Sequence, residues 1–61
     1  MVRDGSKWSG SDGRVFVVIN TAVLEEHRWI YYRAEQPVDG HPAEYSCYEE
    51  SFLSRFTPLP E

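Results

Sequence analysis

Three side chains in this 61-residue chain could ligate a metal through nitrogen or sulfur: His27, His41 and Cys47. No two of them stand at the i, i+4 spacing of a helical ligand pair or form a C-x-x-C pair, whereas a structural zinc site needs four ligands with short local pairs. A lone cysteine also excludes an internal disulfide. The sequence therefore predicts no metal, no cofactor and a free thiol.

Two carboxylate pairs, Glu25-Glu26 and Glu49-Glu50, are the other candidates for chemistry. Adjacent residues on a strand or helix do not face each other, and acid/base catalysis needs two carboxyls held across a cleft with separated pKa values. A chain of this length can hardly enclose a pocket of several hundred cubic ångströms. No glycine pattern of a nucleophile elbow or phosphate loop is present. We expect no catalytic residues and no enzymatic activity.

The net charge of the chain disfavours some classes of binding partner. Ten acidic and six basic residues give a net charge of −4, and no basic cluster exists to neutralise nucleic-acid phosphates. Five glutamates could form an acidic face that imitates a phosphate backbone and so blocks a nucleic-acid-binding protein such as a host defence nuclease: Glu25, Glu26, Glu44, Glu49 and Glu50. The alternative is an ordinary solvated surface, since this net charge is typical of a soluble small domain.

Large aromatic residues and arginine are the main signal of function. The chain has two Trp, four Tyr and three Phe, and all basic residues except Lys7 are Arg. These types concentrate binding energy at protein interfaces. Six apolar residues suffice for the core of so small a domain: Trp8, Phe16, Ile30, Tyr32, Phe52 and Phe56.

Three of the other aromatics, Trp29, Tyr31 and Tyr45, are predicted to lie beside Arg33 on the opposite face and to form a partner-binding surface. A second copy of the chain is the simplest cover for it, and a host or phage protein is the alternative. Nucleic-acid binding by aromatic stacking is a further alternative, which the charge disfavours.

Local patterns predict the elements that position these residues. Turn signals at Asp4-Gly5 and at 9–13 favour a short strand ending at Trp8, and three further strands are predicted at 14–20, 28–35 and 44–48. Residues 21–27 are predicted to be a hairpin loop with Glu25 and Glu26 at its tip, and residues 36–42 an exposed loop. The spacing of Phe52, Leu53 and Phe56 indicates a helical turn over 49–56. Val17, Ile19 and Phe52 are expected in the core.

This order of elements resembles small SH3-like barrel proteins encoded by phages and prophages. The resemblance spans residues 2–56 and rests on the order Asp-Gly-x-x-Trp, apolar strand, aromatic strand, Pro/Gly loop, Tyr-x-Cys and Phe-x-x-x-Phe. It implies a phage-type accessory protein without enzymatic activity. We expect one domain over 1–61: an SH3-like barrel or curled antiparallel sheet of four to five strands with a short C-terminal helical turn.

Targeting signals are missing from the sequence. The longest apolar run, Val15 to Ile19, is far shorter than the roughly 20 residues of a membrane span. No apolar segment of a signal peptide follows Met1. The sequence predicts a complete small protein in the cytoplasm, that of a bacterial host if phage-encoded, with no membrane partner.

Overall fold

A computed structural model describes residues 2–36 and 43–60 of the chain. Its elements are five strands and one helix, in the order β1 Lys7–Ser9, β2 Val15–Leu24, β3 His27–Ala34, β4 Glu44–Tyr48, α1 Glu49–Arg55 and β5 Thr57–Pro58. The strands form a single antiparallel sheet in the order β4-β3-β2-β1-β5. The prediction of a mainly β fold, a curled antiparallel sheet of four to five strands with one short C-terminal helical turn, is confirmed.

The sheet must curl because the chain crosses from one edge strand to the other in very few residues. In a flat sheet, β4 and β5 would lie four strand spacings apart, about 19 Å. The connection is the seven-residue helix α1 and Phe56, and seven helical residues span only about 10.5 Å. Curling brings the two edges together and places α1 over the concave face. No ladder joins β4 to β5 within the described ranges, so the sheet there is open.

β2 and β3 form a hairpin that is longer than predicted. The hairpin loop predicted at 21–27 is shorter than expected, because β2 continues to Leu24 and β3 starts at His27, although its predicted tip at Glu25 and Glu26 is confirmed. Only Glu25 and Glu26 form the turn, with φ values of 50° and 68°. Two left-handed residues match the right-handed twist of the strands, and Asn-Gly is the usual sequence for such a turn. Two glutamates carry no such signal, so the sequence indicated where the hairpin reverses and not that its turn has only two residues.

Replacing this turn by Asn-Gly should stabilise the protein. The left-handed conformation costs an L-residue with a long side chain about 1 to 2 kcal/mol, and glycine avoids that cost. We expect Glu25→Asn combined with Glu26→Gly to raise the free energy of unfolding by about 1 kcal/mol, measured by urea denaturation. Gly13→Ala is the reverse control: Gly13 has φ +84° and open space around it, so this change should destabilise through backbone strain alone. A double variant no more stable than the parent would show that the turn is relaxed.

The core lies between the concave face of the sheet and α1. Its buried residues are Val2, Trp8, Phe16, Val18, Ile30, Tyr32, Ala34 and Phe52, with Cys47 and Phe56 packed against them. Phe52 is fully buried and touches Trp8, Tyr32 and Phe56, with ring centroids 5.0, 5.2 and 4.6 Å away. One helical residue therefore packs against both halves of the curled sheet.

The expectation that Val17 and Ile19 are core residues is wrong. Phe16 and Val18 are the buried residues of β2, while Val17 and Ile19 are only half-buried. Both faces of this strand are apolar, so alternation alone does not show which face is covered. The position of Trp8 determines which face of β2 is covered, because Trp8 lies opposite Phe16 and packs against the helix. Phe52, by contrast, is confirmed as core.

No helix among the described residues has the length and apolar character needed to cross a membrane.

Candidate protein-binding face

The convex side of the sheet, opposite α1, carries the predicted binding residues Trp29, Tyr31 and Arg33. We call this side the outer face. Strand pairing places a residue of β2 and a residue of β4 beside each of them, and β1 adds two residues beside β2. The further outer-face residues of these strands are Lys7, Ser9, Val15, Val17, Asn20, Ala22, Glu44, Ser46 and Tyr48. Trp29, Tyr31 and Arg33 are half-buried by these neighbours. Within residues 2–36 and 43–60, no helix or second sheet packs over them.

Tyr48 also belongs to the outer face, although the sequence did not indicate it. It lies directly opposite Trp29, the two ring centroids are 4.3 Å apart, and its residue surface is 40% exposed. His27 extends the aromatic row, with its ring centroid 5.0 Å from that of Tyr48. The register of β3 and β4 creates this cluster, and no signal in the sequence fixes that register.

Tyr45, which was predicted to join the binding surface, lies on the concave face instead. Its ring stacks on Tyr32 at a centroid distance of 5.5 Å and meets the edge of Phe16 at 6.5 Å. The cause is the strand pairing, which places Tyr45 opposite the core residue Tyr32. At 43% exposure it covers the rim of the core and does not contribute to the outer face.

The charges of the outer face balance. Lys7 Nζ lies 2.9 Å from the Glu35 carboxylate, which reaches this face across β2. Arg33 and Glu44 are cross-strand neighbours, and the Arg33 guanidinium donates to the backbone carbonyl of Ala34 at 3.3 Å. Two basic and two acidic side chains therefore share the face, while the whole chain carries −4. The excess negative charge lies elsewhere.

Four of the five glutamates predicted to form an acidic face lie at one end of the sheet, and Glu44 does not join them. Glu25 and Glu26 form the β2–β3 turn, and Glu49 and Glu50 lie at that same end, since their carboxylates approach Arg28 at 2.9 Å and His27 at 3.8 Å. Glu44 lies at the far end of β4, opposite Arg33.

Arg28 engages Glu49 as part of a structural contact. The guanidinium also donates to the backbone carbonyl of Val2 at 3.1 Å, so it ties the N-terminal segment to the start of α1. Glu49 is thereby neutralised and partly covered. The acidic end is smaller than the sequence suggests.

A second polar cluster joins Tyr32, Cys47 and Arg55 at the rim of the core. Arg55 Nη2 donates to the Tyr32 hydroxyl at 3.4 Å. Burial raises the pKa of Tyr32, and interaction with the Cys47 side chain is the largest cause of a raised pKa at Arg55. The Tyr32 hydroxyl therefore stays protonated at neutral pH, and the Arg55 guanidinium stays charged. Neither group is activated as a base.

Two open grooves border the sheet. One, of about 310 Å³, is lined by residues that include Arg14 and Glu35, and the other, of about 410 Å³, by residues that include Asp12, Arg55 and Phe56. No three His, Cys, Asp or Glu side chains of the described segments are grouped to hold a metal ion. His41 lies outside the described residues.

The outer face therefore combines the features of a contact surface: an aromatic cluster, an arginine and balanced charge on a rigid sheet. Its residues come from four strands of fixed register, so they form one continuous surface. No protein-family model, curated protein or solved structure matches this chain.

Proposed function

We propose that this protein is a non-enzymatic interaction module that binds a protein partner through its outer face. The observation that supports this proposal is the uncovered cluster of Trp29, Tyr31 and Tyr48 beside Arg33. The role is that of a phage-type accessory protein in a bacterial cytoplasm, where it binds and modulates or inhibits a host protein.

The composition of the outer face fits a protein partner. Tyr, Trp and Arg are enriched at the energetic centres of protein interfaces, where they fill pockets on the partner and are shielded by a polar rim. Here the aromatic cluster lies toward the β2–β3 turn, and the charged pairs Lys7–Glu35 and Arg33–Glu44 lie toward the other end. The sheet holds these side chains in fixed positions, so little conformational entropy is lost on binding.

The same charges disfavour a nucleic-acid partner. Phosphate binding depends on basic side chains that are free to displace counterions. Lys7 is already 2.9 Å from Glu35, and Arg33 has Glu44 as its neighbour. A polyanion on this face would therefore meet two carboxylates together with the two cations.

Trp29→Ala should remove partner binding while it spares the fold. Trp29 alternates with buried residues on β3 and lies outside the core, so its loss leaves the packing around Phe52 intact. Truncation of a hot-spot tryptophan costs about 2 kcal/mol or more, which weakens an interface roughly thirtyfold. The measurement is affinity capture from a bacterial lysate with mass spectrometry, followed by the affinity of each captured protein for the purified variants.

Leu53→Ala is the matched control, because Leu53 is an exposed apolar residue on the opposite side of the molecule. It should retain every partner. Circular dichroism must show a folded Trp29→Ala protein; an unfolded one would assign Trp29 to the core. Equal capture by Trp29→Ala and the parent would contradict the proposal. Micromolar binding of oligonucleotides that weakens steeply with salt would replace a protein partner with a nucleic acid.

A further inference from the structure

We propose that the protein partner of the outer face offers a basic, concave surface, and that the end of the β2–β3 hairpin, residues 22–29, is the part of this protein that enters it. This inference rests on the proposed function, since it names the chemistry of the partner that the same face binds. Three properties of residues 22–29, which we call the hairpin end, carry it: their projection from the sheet, the apolar side chains exposed there and the charge around them.

The hairpin end projects beyond the rest of the sheet. β4 ends at Tyr48 and β1 begins at Lys7, so neither strand accompanies the hairpin over residues 23–28. Two residue pairs therefore form a two-stranded ribbon, which extends about 7 Å before the turn. The outer face is the convex side of a curled sheet, so a concave partner contacts this projection over the largest area. Two convex faces would touch over a small area, and a second copy of the chain is therefore a poor cover for this face.

Apolar side chains are exposed on both faces of the hairpin end. Val23 is 70% exposed on the side of α1, and Leu24 is 49% exposed on the outer face, where it pairs with His27. The ring of Tyr48 continues this apolar surface, because it lies 5.0 Å from the His27 ring and 4.3 Å from the Trp29 ring. Exposed apolar side chains that form one patch indicate a contact surface, whereas single scattered ones do not.

The charge around this patch is negative. Glu25 and Glu26 form the turn, and within the described ranges neither carboxylate forms an ion pair. Glu50 is exposed beside the same end, with its carboxylate 3.8 Å from His27 Nδ1. The guanidinium of Arg28 is already engaged with another carboxylate of α1, 2.9 Å away. Three carboxylates therefore border the patch, whereas the other end of the outer face has balanced charge.

A basic partner complements these features. Complementary charge speeds association and selects among partners, while like charges opposed across an interface are strongly unfavourable. An acidic protein, a nucleic acid or an anionic membrane surface would each oppose the three carboxylates. Arginine and lysine side chains of a partner can pair with them, and an arginine can also stack on the exposed ring of Tyr48.

The turn provides a variant that separates binding from stability. Glu25 and Glu26 occupy left-handed positions for which Asn-Gly is the favoured sequence. Glu25→Asn combined with Glu26→Gly removes two charges from the hairpin end and should stabilise the fold. A loss of binding in this variant therefore cannot come from unfolding.

Peptide selection tests which chemistry the hairpin end binds. The immobilised parent protein selects from a ribosome-displayed library of random dodecapeptides at about 50 mM salt, where screening is weak. We expect the enriched peptides to carry a net positive charge together with apolar residues. Glu25→Gln combined with Glu26→Gln should weaken their binding about fivefold in fluorescence-polarisation titrations, the effect of two surface ion pairs. Leu24→Ser should also weaken it, because it removes apolar contact.

Asp4→Asn combined with Asp12→Asn is the matched control. It removes the same net charge at exposed positions in the turns before β1 and β2. The amide oxygen at position 12 can still accept the Arg14 N–H bond. This control should bind the enriched peptides as tightly as the parent does. The Asn-Gly turn variant should bind them more weakly, although it is more stable.

Two kinds of result would overturn the inference: enriched peptides that are neutral or acidic, or a selection that enriches none. Equal losses in the Asp4/Asp12 control and in the Glu25/Glu26 variant would also overturn it, since net charge alone would then explain the binding. If neutral peptides bind in a Trp29-dependent manner, the partner is not basic and the proposed function stands. If basic peptides need Glu25 and Glu26 but bind Trp29→Ala as tightly as the parent, the hairpin end binds and the proposed role of the aromatic cluster fails.

Discussion

Phe52→Ala should unfold most of the protein at 37 °C. Phe52 is fully buried, and its ring contacts Trp8 from β1, Tyr32 from β3 and Phe56 beyond the helix. Truncation of a buried phenylalanine costs about 3 to 5 kcal/mol. A chain of this length has a total stability of about 3 to 9 kcal/mol, so the loss consumes much or all of it.

The neighbouring residue provides the control for this prediction. Leu53 lies on the same helix but is 49% exposed, so Leu53→Ala should change the free energy of unfolding by less than about 1 kcal/mol. Urea denaturation followed by far-UV circular dichroism measures both variants. A Phe52→Ala protein that melts within a few degrees of the parent would mean that α1 does not pack on the sheet as described.

Trp8→Ala should have an effect of similar size and should also release β5. Trp8 is the buried residue of the three-residue strand β1, and its indole N–H donates to Ser6 Oγ at 2.9 Å. Its loss costs about 3 to 5 kcal/mol by the same cavity argument. β5 pairs with β1, so weakening β1 removes the ladder that holds Thr57 and Pro58.

Hydrogen exchange can separate the local from the global part of this effect. The Leu59 N–H donates to the Lys7 carbonyl at 3.1 Å. In Trp8→Phe, the protection of this amide against exchange should fall more than the protection of the amides in the β2–β3 ladder. Trp8→Phe retains an aromatic ring but removes the N–H bond to Ser6 and part of the buried ring volume, so it should cost about 2 kcal/mol, less than Trp8→Ala. Unchanged protection at Leu59 in Trp8→Phe would show that β5 is held independently of Trp8.

The strands were predictable wherever turn residues bound a β-branched or aromatic run. Glu44–Tyr48 and the start of the helix at Glu49 were placed correctly because the periodicity changes there from two to about 3.6. The two-residue strand β5 was not predicted, since Thr57 and Pro58 are adjacent to a proline-rich tail and pair only through tertiary contact with β1.

The candidate site was only partly predictable because it depends on register. Alternation along β3 correctly separates Trp29, Tyr31 and Arg33 from Ile30 and Tyr32. Alternation cannot relate one strand to another. A shift of one residue in the pairing of β4 with β3 moves Tyr45 and Tyr48 to the opposite faces of the sheet. The sequence does not fix this pairing, so it predicts Tyr45 on the outer face and does not indicate Tyr48.

The pairing of β1 with β5 constrains the order in which the protein folds. This ladder joins residues about fifty positions apart along the chain, so closing it costs more loop entropy than the β2–β3 hairpin, whose turn has two residues. The hairpin can form early, whereas β5 can join only when β1 and α1 are already in place. During synthesis Trp8 therefore lacks its C-terminal neighbours until residues 52–58 have left the ribosome. Until then the edge of β1 is exposed and can pair with other unpaired strands.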